Sequence, residues 1–286
     1  MNNKLVLVTG ASTGLGLAIT KTFADKGYTV VATARESSLS RFHPELIARP
    51  NILIRALDVV DHQQRQTLIN ELEKDHGGVD ILINNAGTSY RAVVEDMSED
   101  EEHKQMEVNF AAPMSLSRLV LPSMRKKRQG SILNISSVAG MMAMPTMSSY
   151  SASKFALEGA MESLWYEMRP WGIRIKLIQP GFVNSDSFLN VVLPPKAQAS
   201  RHEGPYKAYY ESMEPFVAKI MRSALATPES VARRVLKISE RARWKLRHAA
   251  TMDARMFYIL RRILPRDIYH NILYYSLPGR RHWSKG

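Results

Sequence analysis

Lys4-Leu-Val-Leu-Val-Thr9 runs directly into Gly10-Ala-Ser-Thr-Gly14-Leu-Gly16, and an apolar, helix-periodic stretch continues from there to Lys26. The order is strand, glycine turn, helix. Glycines let a backbone approach a pyrophosphate closely, and the free amides and positive end of the following helix favour its anionic oxygens. Gly10, Ser12, Thr13, Gly14, Leu15 and Gly16 are therefore the candidate phosphate-side contacts. The spacing Gly-x-x-x-Gly-x-Gly departs from the usual Gly-x-Gly-x-x-Gly of dinucleotide sites, and alone it describes a bland turn equally well. Tyr28-Thr-Val-Val-Ala-Thr33, a second strand-like run, completes a strand-helix-strand unit and tips the reading toward a nucleotide fold.

Further strand-like runs lie at 52–57, 79–84, 131–135 and 173–178, with a seventh expected near Trp244 to His248. They alternate with helical stretches, the pattern of an α/β protein whose parallel sheet is covered on both faces. A chain of 286 residues fits one such domain or two small ones. No repeat, low-complexity tract or long linker interrupts it, so one Rossmann-type, doubly wound domain of about seven strands is expected over 1–250, with 251–286 as a basic amphipathic extension of it. At the end of the second strand an NAD site would place Asp or Glu, about 20 residues past the glycines, on the ribose 2′-hydroxyl. Ala34 and Arg35 stand there, a neutral residue followed by a guanidinium able to fork onto a 2′-phosphate. NADP(H) is preferred on that ground and NAD is the alternative; the competing reading is a solvated loop arginine paired with Glu36.

A second stretch carries the chemistry: Ser136-Ser137 in Asn-Ile-Ser-Ser-Val-Ala-Gly, then Tyr150-Ser-Ala-Ser-Lys154. On a helix the four-residue spacing puts phenol and ammonium on one face, and the cation is expected to draw the phenol down from about 10 toward a useful acid-base range. A lone Tyr-x-x-x-Lys would describe any amphipathic helix. Glycine loop, Asn84-Asn-Ala-Gly87, Ser137, Tyr150 and Lys154 in this order resemble the short-chain dehydrogenase/reductase family over about residues 4–185, and Tyr150-Ser-Ala-Ser-Lys-Phe-Ala-Leu-Glu-Gly159 looks like its hydroxysteroid and retinol dehydrogenase branch.

The resemblance implies a doubly wound sheet of strand order 3-2-1-4-5-6-7. It implies Tyr150 as general acid in reduction and base in oxidation, with Lys154 lowering its pKa and bonding the nicotinamide ribose. Ser137, thirteen positions before Tyr150, is implied on the substrate oxygen in preference to Ser136. Asn109 is the implied fourth catalytic residue, holding a water that connects Lys154 to solvent. Asp58 and Val59 are implied at the adenine, and Asn85, Ala86 and Gly87 beside the ribose, where they also support the sheet. Pro180, Gly181 and Val183 are implied beside the nicotinamide amide, with Ser185 where the family commonly has threonine and Asp186 next to it. Homodimers or homotetramers through the helices beside the active site are the implied assemblies.

Without cysteine, neither a disulfide framework nor a thiolate metal site is available, and the eight histidines show no metal-ligand spacing, so no metal is expected. The first strand begins by Lys4, leaving no room for a cleaved leader, and no apolar run of 18 or more could span a bilayer. A cytoplasmic protein is expected. The net charge of +12 is uneven: residues 201–286 hold 18 Lys/Arg against 7 Asp/Glu, whereas 1–200 hold 21 against 20. A helix from about Asp253 to Leu264 would group Met256, Ile259, Leu260 and Ile263 beside Arg255, Arg261 and Arg262, before Pro265 breaks it. That tail either packs on its own domain or a sister subunit, or lies as a peripheral contact on anionic lipid. Nucleic acid is not an expected partner, because no groove-reading motif accompanies the charge.

Met141, Met142, Met144 and Met147 lie between Ser137 and Tyr150 and offer either an adaptable apolar wall or ordinary core fillers. Residues 186–226, rich in Pro, Tyr and Met, fall where the resembled family has its variable substrate lid. The expected activity is an NADP(H)-dependent interconversion of a carbonyl and an alcohol on a lipophilic substrate such as a steroid, retinoid or long-chain keto compound. The alternative is a catalytically silent nucleotide sensor or membrane-associated scaffold of the same fold, which would not require Asn109, Ser137, Tyr150 and Lys154 together.

Overall fold

In the computed structural model, which describes residues 4–185 and 191–284, the strands are β1 (Leu5–Val8), β2 (Thr29–Ala34), β3 (Ile52–Ala56), β4 (Ile81–Asn84), β5 (Gly130–Ile135), β6 (Ile173–Gln179) and β7 (Arg247–Ala249). All pair in parallel, in the order β3-β2-β1-β4-β5-β6-β7. The first six fall on the apolar runs read from the sequence. The seventh lies slightly C-terminal to the expected Trp244–His248, because it is the stretch from Arg247 that registers against Leu177–Gln179.

Eleven helices are assigned among the described residues: α1 (Gly14–Asp25), α2 (Pro44–Ile47), α3 (His62–His76), α4 (Glu99–Met106), α5 (Ala112–Lys127), α6 (Ser148–Met168), α7 (Pro195–Ser200), α8 (Lys207–Ser223), α9 (Pro228–Glu240), α10 (Met252–Ile263) and α11 (Arg266–Ser276). Alternation along the central strands sends side chains into two separate cores. Val6, Val8, Val30, Ile81 and Ile83 pack beneath α1 and α9 with Ile19, Phe23, Val231 and Val235. Leu5, Leu7, Val31 and Leu82 pack on the opposite face with Leu68, Leu72, Leu116, Val120, Leu157 and Met161 from α3, α5 and α6. A strand buried on both faces must be apolar at every position, which is why β1 reads as an unbroken hydrophobic run.

The chain builds β3, β2 and β1 on one side and then crosses to β4 on the other. The carboxyl ends of β1 and β4 diverge at that switch point and open a crevice. Past β7 the chain turns back over the sheet's carboxyl end. Thr251 caps α10, accepting from the Ala254 amide, and Ala254, Phe257 and Leu273 pack against Val138, Met141, Met142 and Met144. Pro265 ends α10 as expected, but its extended backbone also starts α11, so the break is a joint between two helices. Residues 186–190, which open the expected lid and include Asp186, lie outside the described residues; the rest of the lid contains α7 and α8.

Candidate active site

The glycine loop is built by close approach. A Cβ on Gly16 would stand 2.2 Å from the Gly10 carbonyl oxygen and 2.5 Å from Asn85 Nδ2, so only glycine lets α1 begin this near β1. Gly10 and Gly14 have φ of +63° and +55°, the left-handed region, and nothing lies within 4 Å of the position a Gly14 Cβ would take. Thr13 starts α1 without capping it through its side chain, which leaves the first-turn amides unclaimed by a capping side chain. Ser12 is buried, Thr13 exposed and Leu15 packed on the core. From β4, Asn85 Nδ2 donates to the carbonyls of Thr9 (2.9 Å) and Gly10 (3.0 Å), while the amides of Asn85 and Ala86 donate to Thr9 Oγ1, both at 3.0 Å. The Asn85-Ala86-Gly87 segment thus fixes the loop, and the cradle fits a pyrophosphate.

At the ends of β2 and β3, Arg35 and Asp58 line one open cleft with Arg55, Gln63 and Gln64. Arg35 is exposed and makes no ion pair with Glu36 among the described residues, whereas Arg55 is held by Glu71 at 2.9 Å. Asp58 accepts from the Val60 amide (3.2 Å) and its own amide donates to Gln64 Oε1 (2.7 Å); Val59 is buried behind it. The cleft, which Glu36 and Glu71 also line, fits the adenosine end of a dinucleotide.

Ser136 and Ser137 directly follow β5, and α6 starts two residues before Tyr150, so sheet and helix bring the two hydroxyls together. Ser137 hydrogen-bonds the Tyr150 phenol and accepts from the Ala139 amide at 3.1 Å. Ser136 Oγ instead lies against Gly140, where a Cβ would come within 2.8 Å of it. Lys154, 6% exposed, lies beneath with Nζ 5.8 Å from the Tyr150 ring centroid, donating to the Ile135 carbonyl at 2.9 Å. Burial brings its pKa down to about 8, against the pull of Glu158.

Burial pushes the Tyr150 phenol above its ordinary value; its hydrogen bond with Ser137 and the charge of Arg91 oppose that rise. Lys154 Nζ bonds the Ile135 carbonyl under the ring. Arg91 also favours the phenolate, and no motif marks it: it is a lone arginine four residues past Gly87. Asn109 lies in a π-helical segment, Glu107–Ala111, and is 1% exposed. Its Nδ2 donates to the Thr88 carbonyl (2.9 Å) and Ser153 Oγ (3.1 Å), and its Oδ1 accepts from the Thr88 amide (2.9 Å). The side chain ties the Gly87-Thr88 turn to α6.

The loop after β6 is tied to the C-terminal segment. The Pro180 carbonyl accepts from the Val138 amide (2.9 Å), Gly181 N donates to Thr251 Oγ1 (2.9 Å) and Phe182 N to Asp253 Oδ2 (2.7 Å). A Cβ on Gly181 would strike Asp253. Val183 enters the core, and Ser185 Oγ lies 3.5 Å from the Val183 carbonyl. Among the four methionines, Met142 is a core filler and Met141 and Met144 pack partly buried beside it. No group of three or more metal-ligating side chains occurs among the described residues.

A family model described as short chain dehydrogenase matches residues 4–193. The uncharacterized oxidoreductase YusZ of Bacillus subtilis is 32% identical over 282 residues, covering 96% of this chain and 98% of its own. A 3-ketodihydrosphingosine reductase of Bacteroides thetaiotaomicron is 37% identical over 65% of this chain and 66% of its own. Among solved structures, a short-chain dehydrogenase from Streptomyces avermitilis superposes with a TM-score of 0.77 at 31% identity, covering 90% and 92% of the two chains. A metagenomic short-chain oxidoreductase in complex with NADP does so with a TM-score of 0.68 at 25% identity, covering 87% and 97%. Sheet order, hydroxyl pair and relatives converge, and the chain belongs to the short-chain dehydrogenase/reductase family of NAD(P)-dependent oxidoreductases.

Proposed function

We propose that the protein is an NADP(H)-dependent oxidoreductase that interconverts a carbonyl and a secondary or primary alcohol on a lipophilic substrate such as a steroid, retinoid or long-chain keto compound. The observation that carries this reading is the Ser137-Tyr150 hydroxyl pair set over a buried Lys154 at the carboxyl end of the sheet. When bound, NADPH supplies hydride for the carbonyl carbon. Tyr150 gives its proton to the carbonyl oxygen, Ser137 donates a hydrogen bond to that same oxygen, and the proton is replaced from solvent, so carbonyl, NADPH and one proton become alcohol and NADP+. Gly10, Ser12, Thr13, Gly14, Leu15 and Gly16 would hold the pyrophosphate, Asp58 and Val59 the adenine, and Asn85, Ala86 and Gly87 the ribose. Pro180, Gly181, Val183 and Ser185 would border the nicotinamide, and Lys154 its ribose. Arg35, exposed and without an ion pair to Glu36, supports NADP over NAD, as does the NADP bound in a similar enzyme.

An apolar substrate is supported by partly buried Met141 and Met144 and by the edge-on pair Phe182 and Phe257, with ring centroids 6.5 Å apart. Tyr150→Phe should lose at least about a thousandfold in turnover of an apolar ketone while NADPH still binds. Equal turnover defeats the mechanism, and a preference for NADH defeats the role of Arg35.

The domain is proposed to span 1–250, with the lid at 186–226 and the extension at 251–286 resting on lipid from the cytoplasmic side. The inner face of α10 and α11 packs on the methionines, but Met256 (49%), Ile263 (72%), Ile272 (52%) and Tyr275 (62%) stay exposed on the outside, among Arg255, Arg261, Arg262 and Arg266. That is the make-up of a peripheral contact with anionic membrane. No described helix is long and apolar enough to cross one. Flotation with phosphatidylserine vesicles, with and without Ile263→Asp/Ile272→Asp, tests it; equal flotation of the two forms removes the contact. A homodimer or homotetramer is proposed through α6, whose Phe155 and Tyr166 are exposed, and light scattering reads it directly.

A further inference from the structure

Arg91 is held by its backbone between the lid and the entry to the catalytic helix. Its amide donates to the Val192 carbonyl at 2.9 Å, and its neighbour Ala92 donates to the Thr146 carbonyl at 3.0 Å, just before α6 begins. Its side chain lines a narrow cavity with Thr146, Tyr210, Met213, Glu214 and Val217. The guanidinium Nε is buried with no acceptor, and no hydrogen bond or ion pair of this side chain exists among the described residues. Two other arginines have a buried, unbonded Nε, but Arg65 gives Nη1 to the Val59 carbonyl and Arg174 lies over the Trp244 ring. Arg91 has no such contact; burial disfavours its charge, and Glu214 and the Tyr150 phenol favour it.

The polar groups around it are engaged elsewhere. Tyr210 OH donates to Asp96 Oδ2 (2.7 Å) and accepts from the Val93 amide (3.1 Å), and Glu214 is paired with Arg201 at 2.6 Å. Glu214, the one carboxylate lining the cavity, is thereby shared between Arg201 and the charge of Arg91. Thr146 has φ of +64°, a strained conformation for a β-branched residue, and such strain persists where surrounding structure enforces a working geometry. A cation left without an acceptor beside a reacting hydroxyl calls for an acceptor that arrives with the ligand. Met213 and Val217 at the same cavity favour an apolar body attached to it.

We propose that Arg91 binds a carboxylate carried by the substrate, so that the lipophilic carbonyl compound is an amphiphilic oxo acid whose acid group is held at Arg91 while its carbonyl lies at Ser137 and Tyr150. The proposal rests on the carbonyl-reductase reading and narrows its substrate class. A guanidinium meets a carboxylate through a two-pronged, charge-assisted bond that an ester cannot reproduce. The apolar remainder of the molecule runs toward the methionines and the C-terminal helices.

The test uses full-length protein saturated with NADP+ and measures binding of dodecanoate and methyl dodecanoate by calorimetry, alongside NADPH consumption with medium-chain oxo acids and their methyl esters. Dodecanoate should bind at least about tenfold tighter than its ester, and oxo acids should lead their esters in kcat/KM by a similar factor through KM. Arg91→Gln should bring both ratios to within about twofold, and Arg91→Lys should restore part of the preference. Equal binding of acid and ester, binding of neither, or a preference that survives Arg91→Gln overturns the assignment. Turnover of neutral ketones without acid preference defeats Arg91 alone; absence of turnover with acid, ester and neutral ketone defeats the carbonyl-reductase reading beneath it.

Discussion

Asn85 Nδ2 stands 3.0 Å from the Gly10 carbonyl oxygen and would lie 2.5 Å from a Cβ on Gly16, so one amide closes the glycine loop from the neighbouring strand and fills the space a side chain there would need. Two residues distant in sequence would thereby set how near a pyrophosphate could come to the backbone.

Asn85→Ala removes the donor to two carbonyls and leaves them unsatisfied, a loss of about 1–3 kcal/mol. Thermal unfolding should fall accordingly, and NADPH affinity should weaken by roughly tenfold as the loop loosens. Gly16→Ala should be worse for the cofactor, since the methyl meets backbone rather than a movable side chain. Titration of NADPH fluorescence reads both, and wild-type affinity in Gly16→Ala would show that the loop is not the phosphate cradle.

The strands and the order of the motifs were legible because a doubly covered sheet needs unbroken apolar runs and a close-packed turn needs glycine; β1 with Gly10 and Gly16 shows both rules in one segment. The Tyr150-Lys154 spacing foretells the shared helix face, with Nζ 5.8 Å from the ring centroid, but not that burial raises the phenol. Spacing along a helix says nothing of what a side chain bonds across it, and Ile135 lies on a strand. Arg91 and the tie from Gly181 to Thr251 escaped for the same reason. Each depends on segments that meet only in the folded chain.

The hydrogen bond from Ser137 opposes the rise in the Tyr150 pKa, which gives a pH signature. Alcohol oxidation requires the phenolate, so its rate rises with pH through the phenol's titration. Ser137→Ala removes a group that favours phenolate, and the alkaline limb should move to higher pH while turnover falls by at least about a hundredfold. An unmoved limb with lowered turnover would assign Ser137 to substrate orientation alone.

Arg247 joins β7 to the catalytic helix, its Nε 2.7 Å from Glu158 Oε2 and its Nη2 2.8 Å from Glu162 Oε2. Glu158 is buried and also accepts from Gln179 Nε2 at 3.0 Å, whereas Glu162 is largely solvated. Arg247→Met strands the Glu158 charge and should cost about 3 kcal/mol, nearly all of it through Glu158. Combining it with Glu158→Gln should recover most of that loss in urea unfolding. A double variant no more stable than Arg247→Met would show that the pairing with Glu158 does not hold the strand.

His248, buried on β7 against Ile178, has its pKa lowered to about 4, chiefly by burial, with the charges of Lys176, Lys245 and Arg241 acting in the same direction and a hydrogen bond with the Lys245 carbonyl opposing them. In the unfolded chain the imidazole titrates at about 6.5. Between those values the unfolded state binds the proton and the folded state does not, so stability is full above pH 6.5 and is lost as pH falls toward 4. The loss should approach about 2 kcal/mol once partial solvent screening is allowed for. His248→Gln removes the titrating group and keeps a side chain able to donate to the Lys245 carbonyl. Its unfolding free energy should therefore fall less steeply between pH 6.5 and 4 than that of the wild type, by about that amount. Parallel curves would place the acid-sensitive group elsewhere.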